Sequence, residues 1–440
     1  MSGVVEAKEL LNRHINMHLK DLTTGHNGGI FNGPRFPRVY VDNPTNGVPF
    51  LGSTDILDAD LSNVSLLSKK QVEKDPALVL DEGWTLISCS GTIGRMAYAR
   101  SEMKGMAGSQ HFMRIVPDTS KIAPGYLFAY LSSRFGVPII VSGTYGAIIQ
   151  HIEPQHIADI PVPRLGEVEK QAHDLIQEAA SKRVAANHII QSALELLKSA
   201  SGLVELETRE GIPFCATSIS SFDLVKRMDG AYHSSLHREV LDALNNAQVE
   251  TTTVADLSLA IFEPKRFKRI EISDVEFGIP MFGTTALMWA DPKPSFLIPR
   301  RMPGIEELIV DQKMVLIPRS GQIAGIIGTA ILPYGELVGG AVSEDAIRIQ
   351  CATETIAGYL FIVLRSEYGR RQLKARAFGS SIPHLDVHQI GQVLVPNLGN
   401  KLVKQIGSLG VQSATLRHEA IEHETEARSL VELAIESGGR

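Results

Sequence analysis

Two copies of one pattern run through this chain, and the repeat constrains its fold more than any other feature. Gly125 opens GYLFAYLSSRFG and Gly358 opens GYLFIVLRSEYG, a displacement of 233 positions (358 − 125). The same displacement carries Tyr145-Gly146 onto Phe378-Gly379, and IADIPVP from Ile157 onto IGQVLVP from Ile390. Further upstream it shortens to 231 (278 − 47), where GVPFLGSTDI from Gly47 answers GIPMFGTTAL from Gly278. SGTIG at Ser90 answers SGQIAG at Ser320, and SQHFMRI at Ser109 answers SEDAIRI at Ser343. Matches that keep one order, with small drifts between them, describe two copies of one fold. Two copies of this length point to a paired two-domain molecule rather than a solenoid.

A chain of 440 residues holds two or more domains, each long enough to bury its own core. The hydrophobic fraction of 44% is ordinary for globular protein. No apolar run approaches the roughly 20 residues of a membrane-spanning helix. The N-terminal segment carries acids and histidines without an apolar secretory core, so no signal peptide and no membrane partner are expected. Cys89, Cys215 and Cys351 stand singly, which predicts reduced thiols in a cytoplasmic protein and argues against disulfides or a zinc ribbon. With a net charge of −6, nucleic-acid binding has to rest on local basic patches.

The pattern predicts an α+β fold. Residues 1–22 read as an N-terminal amphipathic helix, with Val4, Leu11, Ile15 and Leu22 near one face. Residues 23–165 form a first strand-rich domain, broken by Gly, Pro, Asn and Asp. WTLIS, SGTIG and RMAYAR read as a hairpin, and KMVLIPRSGQIAGIIGTAIL repeats it. GYLF starts a short helix in each copy. Each copy ends on a Pro-x-Leu-Gly stop, followed by a long helix, over 166–205 and 399–440. In the first, Val168, Ala172, Leu175, Ala179, Ala186, Ile190, Ala193 and Leu197 keep a spacing of three or four with one gap. In the second, Leu402, Ile406, Leu409, Leu416, Ala420, Ala427, Leu430 and Ala434 do likewise. This spacing fits a coiled coil or a helix packed on its own domain; the duplication favours pairing of the two helices. The second domain covers 206–398, led by a helical FDLVKRMDGAYHSSLHREVLDAL.

No catalytic motif is present. The phosphate loop GxxxxGK[ST] is missing, no amino-methyltransferase motif occurs, and Ser90 does not match a nucleophile elbow. His14/His18 and His384/His388 have i, i+4 spacing, but no third ligand repeats between the halves, so solvated or capping histidines are expected over a metal site. Neither a catalytic residue, a metal nor a cofactor is assigned to this chain.

Basic residues gather in comparable places. Arg35 and Arg38 flank Phe36, and Lys265, Arg266, Lys268 and Arg269 flank Phe267. Arg95 follows the first hairpin turn and Arg319 precedes the second. Lys69/Lys70 and Arg300/Arg301 stand 231 positions apart. Arginine forks suit guanine edges and phosphates, and lysine supplies a point charge. Hydrogen-bonding tips complete the candidate DNA-binding set: Gln110, Tyr145, Gln150 and His151 in the first half, and Gln322, Ser380, Ser381 and His384 in the second. Ordinary loop drift is the alternative reading of those differing tips.

These residues together resemble the specificity (S) subunit of type I restriction-modification systems. The SGTIGR hairpin, SQHFMRI, GYLFAYLSSRFG, the YG loop before IEPQHIADIPVP and the following helix carry the resemblance, repeated as a unit. It implies two target-recognition domains, each reading one part of a split, asymmetric DNA sequence. It further implies two long antiparallel helices as a spacer, in a pseudo-twofold arrangement. The implied partners are double-stranded DNA, two methyltransferase subunits binding S-adenosylmethionine, and a translocating nuclease subunit. SGQIAG and SSIPHLD depart from the pattern in the second half. A solitary DNA-binding regulator of the same fold and a coiled-coil protein scaffold remain the other readings.

Overall fold

In the computed structural model, residues 2–89, 93–142, 152–206, 216 and 218–438 are described. They divide into a first unit, Met1–Val184 with Glu419–Arg440, and a second, Ala185–His418. Both boundaries fall inside long helices.

Gly, Pro, Asn and Asp interrupt the chain so often that its strands are only two to five residues long. The first unit runs α1 (Ser2–Leu11), β1 (Asn16–His18), β2 (Ile30–Asn32), β3 (Tyr40–Val41), β4 (Gly47–Leu51), β5 (Leu66–Ser68) and α2 (Lys69–Val72). It continues through β6 (Thr85–Ser88), β7 (Met96–Tyr98), β8 (Ala107–Gly108), β9 (Phe112–Ile115), α3 (Pro124–Leu131), α4 (Gly136–Ser142), α5 (Pro154–Ile157) and β10 (Pro161–Pro163) into α6 (Glu167–Ser201). Two small sheets form, in the orders β2-β9-β6-β7 and β3-β5-β4-β8, and β1 pairs with β10.

The second unit contains α7 (Ser221–Lys226), α8 (Ser235–Asn245), β11 (Thr251–Thr253), α9 (Val254–Leu257), β12 (Ala260–Phe262), β13 (Gly278–Phe282), β14 (Phe296–Pro299), α10 (Ile305–Leu308) and β15 (Met314–Pro318). Then come β16 (Ala341–Val342), β17 (Ala346–Gln350), α11 (Glu354–Arg365), α12 (Glu367–Arg376), α13 (Val387–Gly391), β18 (Leu394–Pro396) and α14 (Gly399–Ser437). Its sheets are β12-β17-β15 and β14-β13-β16, with β11 on β18.

Strand registers correspond at several points in the two units. Leu86 faces Arg114 in one sheet and Leu316 faces Arg348 in the other. The parallel pairs Phe50–Ala107 and Met281–Ala341 correspond, as do Asn16–Pro163 and Thr251–Pro396. The second hairpin is thinner, because a single bridge, Leu316–Ile331, stands where β6 pairs with β7 in the first.

An arginine sealed in each core explains why the sheets keep their relation within a unit. Arg114 and Arg348 are fully buried. Arg114 donates to the carbonyls of Gly108, Ser109 and Phe112 at 2.7, 3.1 and 3.2 Å. Arg348 donates to the equivalent Val342 and Ser343 carbonyls at 2.5 and 2.9 Å, to Ala346, and to Leu308 at 3.3 Å. Burial pulls both guanidinium pKa values down to about 10, so both stay charged at neutral pH. Their η nitrogens donate to backbone acceptors where strand pairing stops, while each Nε is buried without a hydrogen-bond partner.

The GYLF motif owes its first residue to helix packing. A Cβ on Gly125 would lie 2.8 Å from the His173 carbonyl of α6, and one on Gly358 would lie 2.2 Å from the Gly407 carbonyl of α14. Tyr126 donates to the Pro163 carbonyl and Tyr359 to that of Pro396, which ties each helix to its closing strand. Both helices begin before GYLF, at Pro124 and Glu354, and a second helix, α4 or α12, follows each.

Along α6 the buried seam is Ala172, Ile176, Ala179 and Arg183 in the first unit, then Ala186, Ile190, Ala193 and Leu197 in the second. Along α14 it is Ile406, Gly410, Ser413 and Arg417 in the second unit, then Ala420, Glu424, Ala427, Val431 and Ile435 in the first. In the first unit, Lys182–Glu419 at 2.5 Å and Glu178–His423 at 3.4 Å match rising numbers on one helix to falling numbers on the other. The segments of α6 and α14 in this unit therefore run antiparallel. The apparent gaps in the apolar spacing are buried charges. Arg183 binds Glu424 at 3.0 Å in the first unit, and Arg417 donates to Asn187 Oδ1 at 2.8 Å in the second. Val168, Leu175, Leu402, Leu409, Leu416, Leu430 and Ala434, expected in the seam, are only half-buried, and Arg417 and Val431 take the turns of Leu416 and Leu430.

Two sequence expectations are corrected. The N-terminal helix stops at Leu11 rather than Leu22, because Asn16–His18 is drawn into β1 against β10; Ile15 is left 79% exposed. The segment from Phe222 to Leu244 is two helices, α7 and α8. Ser234 caps the second by accepting from the His237 amide. Neither histidine pair shares a helical face: His14 and His18 lie outside α1, and His384 precedes α13, which holds His388.

Candidate nucleic-acid interface

The arginine pins hold short connections, and those connections carry polar tips. In the first unit Ser109–His111 joins β8 to β9 under Arg114 and presents Gln110. Gln110 Oε1 accepts from Arg38 Nη2 at 2.9 Å, and the Arg38 guanidinium also lies 5.0 Å from the Phe50 ring centre. In the second unit Ser343–Asp345 joins β16 to β17 under Arg348. There Arg269 Nη2 reaches both carboxylate oxygens of Glu344 at 3.4 Å. Arg38 and Arg269 are related by the displacement that relates Gly47 to Gly278, and Gln110 and Glu344 are the second residues of the two matched motifs. The same arginine-acceptor clasp thus occurs in both units.

A second node lies beside it. Arg319 pairs with Glu263 and reaches Asp345 at 4.0 Å, while its backbone amide donates to the Asp345 carbonyl at 2.9 Å. The equivalent amide, that of Cys89, donates to the His111 carbonyl at 3.0 Å, and the Cys89 thiol lies 3.7 Å from Asn32 Oδ1. Burial pushes the Cys89 thiol up to about 12, and Cys351 likewise. Neither is a nucleophile at neutral pH.

A third feature is the lip of the second unit. Gly321 donates to the Pro383 carbonyl at 3.2 Å, Leu385 to that of Arg319 at 2.7 Å, and Phe378 and His384 exchange backbone hydrogen bonds. These bonds gather Arg319, Gln322, Ser380, Ser381 and His384 on two adjoining turns. Gln322 and both serines are exposed, and His384 is half-buried. Tyr145, Gln150 and His151 of the first unit lie outside the described residues, as do Ser90 and Cys215.

The other basic residues stand apart from the clasps. Lys69 and Lys70 are exposed where β5 passes into α2, and Arg300 and Arg301 are exposed at the matching end of β14. Arg300 donates to the Gly278 carbonyl at 2.9 Å. Arg35, Lys265, Arg266 and Lys268 are exposed on the connections leading to β3 and β13, anchored by Phe36 and Phe267 packed against small apolar clusters. Arg95 is half-buried, and desolvation lowers its pKa. Sequence reading missed Phe50, His111, Glu263, Glu344 and Asp345. The SQH and SED tripeptides at matched positions were the available signal.

Each unit also has a cleft beside its long helices, of about 530 Å³ near Tyr98, Gln177 and Ser181, and about 350 Å³ near Leu332, Val411 and Thr415. The polar Gln177 of one stands where the other has the apolar Val411, while the hydroxyls of Ser181 and Thr415 correspond. Among the described residues, no group of three or more His, Cys, Asp or Glu is placed to hold a metal ion, and no helix is long and apolar enough to cross a membrane.

No family model and no curated protein matches the chain. Among solved structures it is similar to a type I restriction-modification S subunit from M. genitalium, at 13% identity and a TM-score of 0.31, over 97% of this chain and 96% of that one. It is also similar to an HsdS subunit from Thermoanaerobacter tengcongensis, at 12% identity and 0.28, over 97% and 96%. A third similarity is to a structure from work on complex assembly and conformational transition of the type I R-M system, at 12% and 0.28, over 97% of each chain.

Proposed function

We propose that this chain is a non-catalytic DNA-recognition subunit of a methyltransferase or restriction complex, with one sequence reader in each unit. The observation that carries the reading is the pairing of a constant frame with variable tips. The buried pins, registers and helix contacts repeat between the units, whereas the polar residues on the same turns change from Gln110 and His111 to Glu344 and Asp345. A duplicated enzyme is expected to repeat its reactive groups; a duplicated reader of two different sequences repeats its scaffold and alters its contacts. Lys69, Lys70, Arg300 and Arg301 supply phosphate contacts, and the two clasps with the lip of the second unit read base edges. Two methyltransferase subunits bind S-adenosylmethionine and act on flipped adenines, with a translocating nuclease joining for restriction.

Co-expression with the neighbouring methyltransferase, followed by mapping of methylated bases in host DNA, tests this. The expected outcome is a split, asymmetric motif with a fixed gap. A complex that forms without any methylated motif overturns it.

A further inference from the structure

Resting on that reading, we infer that Gln110 and Glu344 are matched specificity positions, and that their difference sets which base each unit accepts there. Both sit second in a three-residue connection whose backbone is held by a buried arginine, and both are half-buried, so part of each side chain is open. Each faces an arginine from a connection far upstream, Arg38 between β2 and β3 or Arg269 between β12 and β13, at equivalent places in the two units. Pinned backbone, matched partner and a partly open side chain are what a fixed contact position requires.

The side chains differ in one chemical respect. An amide both donates and accepts, and Gln suits the N6 and N7 edge of adenine; an ionised carboxylate only accepts, and Glu suits a base presenting an amino group, such as cytosine N4. The Arg269–Glu344 contact is long, 3.4 Å to each oxygen, and the Arg269 side chain is 49% exposed. Such a slack pair can open around a base pair, the guanidinium turning to guanine O6 and N7 while the carboxylate accepts from cytosine N4. The second unit therefore favours a G·C pair at this position. In the first unit Gln110 is held at both ends, its Oε1 by Arg38 at 2.9 Å and its Nε2 by His111 Nε2 at 3.1 Å; the second lone pair and second N–H of the amide serve the adenine edge, and adenine is favoured.

The isosteric exchanges Glu344→Gln and Gln110→Glu test this in the intact complex, read out by methylome mapping and by binding to duplexes varied at one base pair. Glu344→Gln is expected to change preference at one position of one half-site, by about five-fold to about a hundred-fold, the range of a bidentate base contact. Gln110→Glu is expected to act on the other half-site alone. Wild-type motifs left unchanged by both variants overturn the inference while leaving the reader function standing, and so does a simultaneous change in both half-sites. A wild-type complex that methylates no motif overturns the function itself, and this inference with it. Unaltered unfolding of both variants separates a lost contact from a lost fold.

Discussion

At one turn of the first unit stand Cys89, Asn32 and His111; at the same turn of the second stand Arg319, Glu263 and Asp345. The backbone bond beneath them is the same, 3.0 Å in one and 2.9 Å in the other. A largely neutral node and an ionic one therefore occupy one frame. Along the helix seam the contrast reverses, with the ion pair Arg183–Glu424 in the first unit and the Arg417–Asn187 hydrogen bond in the second. The lesson is that backbone geometry here is set from inside, by the arginine pins and the glycine contacts, which leaves the polar chemistry at equivalent surface positions free to diverge.

The hardest way to break that comparison is to remove a pin. Arg348→Met removes the donor to four buried carbonyls, of which that of Ser343 keeps the Ala346 amide, and is expected to destabilise the second unit by about 3 kcal/mol. Arg114→Met should do the same to the first. Hydrogen exchange during denaturant unfolding checks this: equal loss of protection in both units would mean that each pin does not serve its own unit.

Cutting the seam comes next. Arg183→Ala leaves Glu424 buried without its principal partner and is expected to cost about 3 kcal/mol. The double replacement Arg183→Leu with Glu424→Leu is expected to be neutral or stabilising. Denaturant midpoints of the two variants decide it, and a double mutant as weak as the single one removes the argument.

Acid should distinguish the units by a comparable amount. His237 is 2% exposed in the second unit. Its Nδ1–H donates to the Tyr232 carbonyl at 2.6 Å while its Nε2 accepts from Arg376 at 3.2 Å, so the ring is neutral. Burial is the main cause that lowers its pKa to about 4. A base depressed on folding gives stability that is present above its unfolded value of about 6.5 and lost as pH falls toward 4, about 3 kcal/mol in all. His237→Gln should flatten that slope between pH 6.5 and 4, as measured by unfolding at a series of pH values. An unchanged slope would place the acid sensitivity elsewhere.

The smallest effect is a methyl group. Gly358→Ala drives a Cβ toward a backbone oxygen at 2.2 Å, whereas in Gly125→Ala the nearest atom is at 2.8 Å. Overpacking of this kind costs about 1–3 kcal/mol, and thermal unfolding should rank the second unit's variant as the more damaging.

The duplication, the strand texture and the positions of both long helices could be read from residue spacing alone, because strand and helix periods are local properties. The seam was legible only where it is apolar. Arg183 and Arg417 sit at its proper turns, but a charge in a sequence looks like a solvated face until a partner appears. Ile15 failed for the opposite reason: its helical spacing was real, but pairing of β1 with β10 overrode it. Among the site residues, Arg38 and Gln110 were each singled out, yet nothing local joins residues 72 apart in the chain. Glu344 was missed because an acidic residue does not look like a contact for a polyanion.

By itself the sequence determined that the protein carries one frame twice, with a long helix closing each copy and no catalytic motif, since repeats and missing motifs need no coordinates to be seen. Only the tertiary structure decided which polar residues are structural and which are presented. Burial and hydrogen-bond partners sort Arg114 and Arg348 from Arg38 and Arg269, and those properties depend on neighbours that arrive from distant parts of the chain.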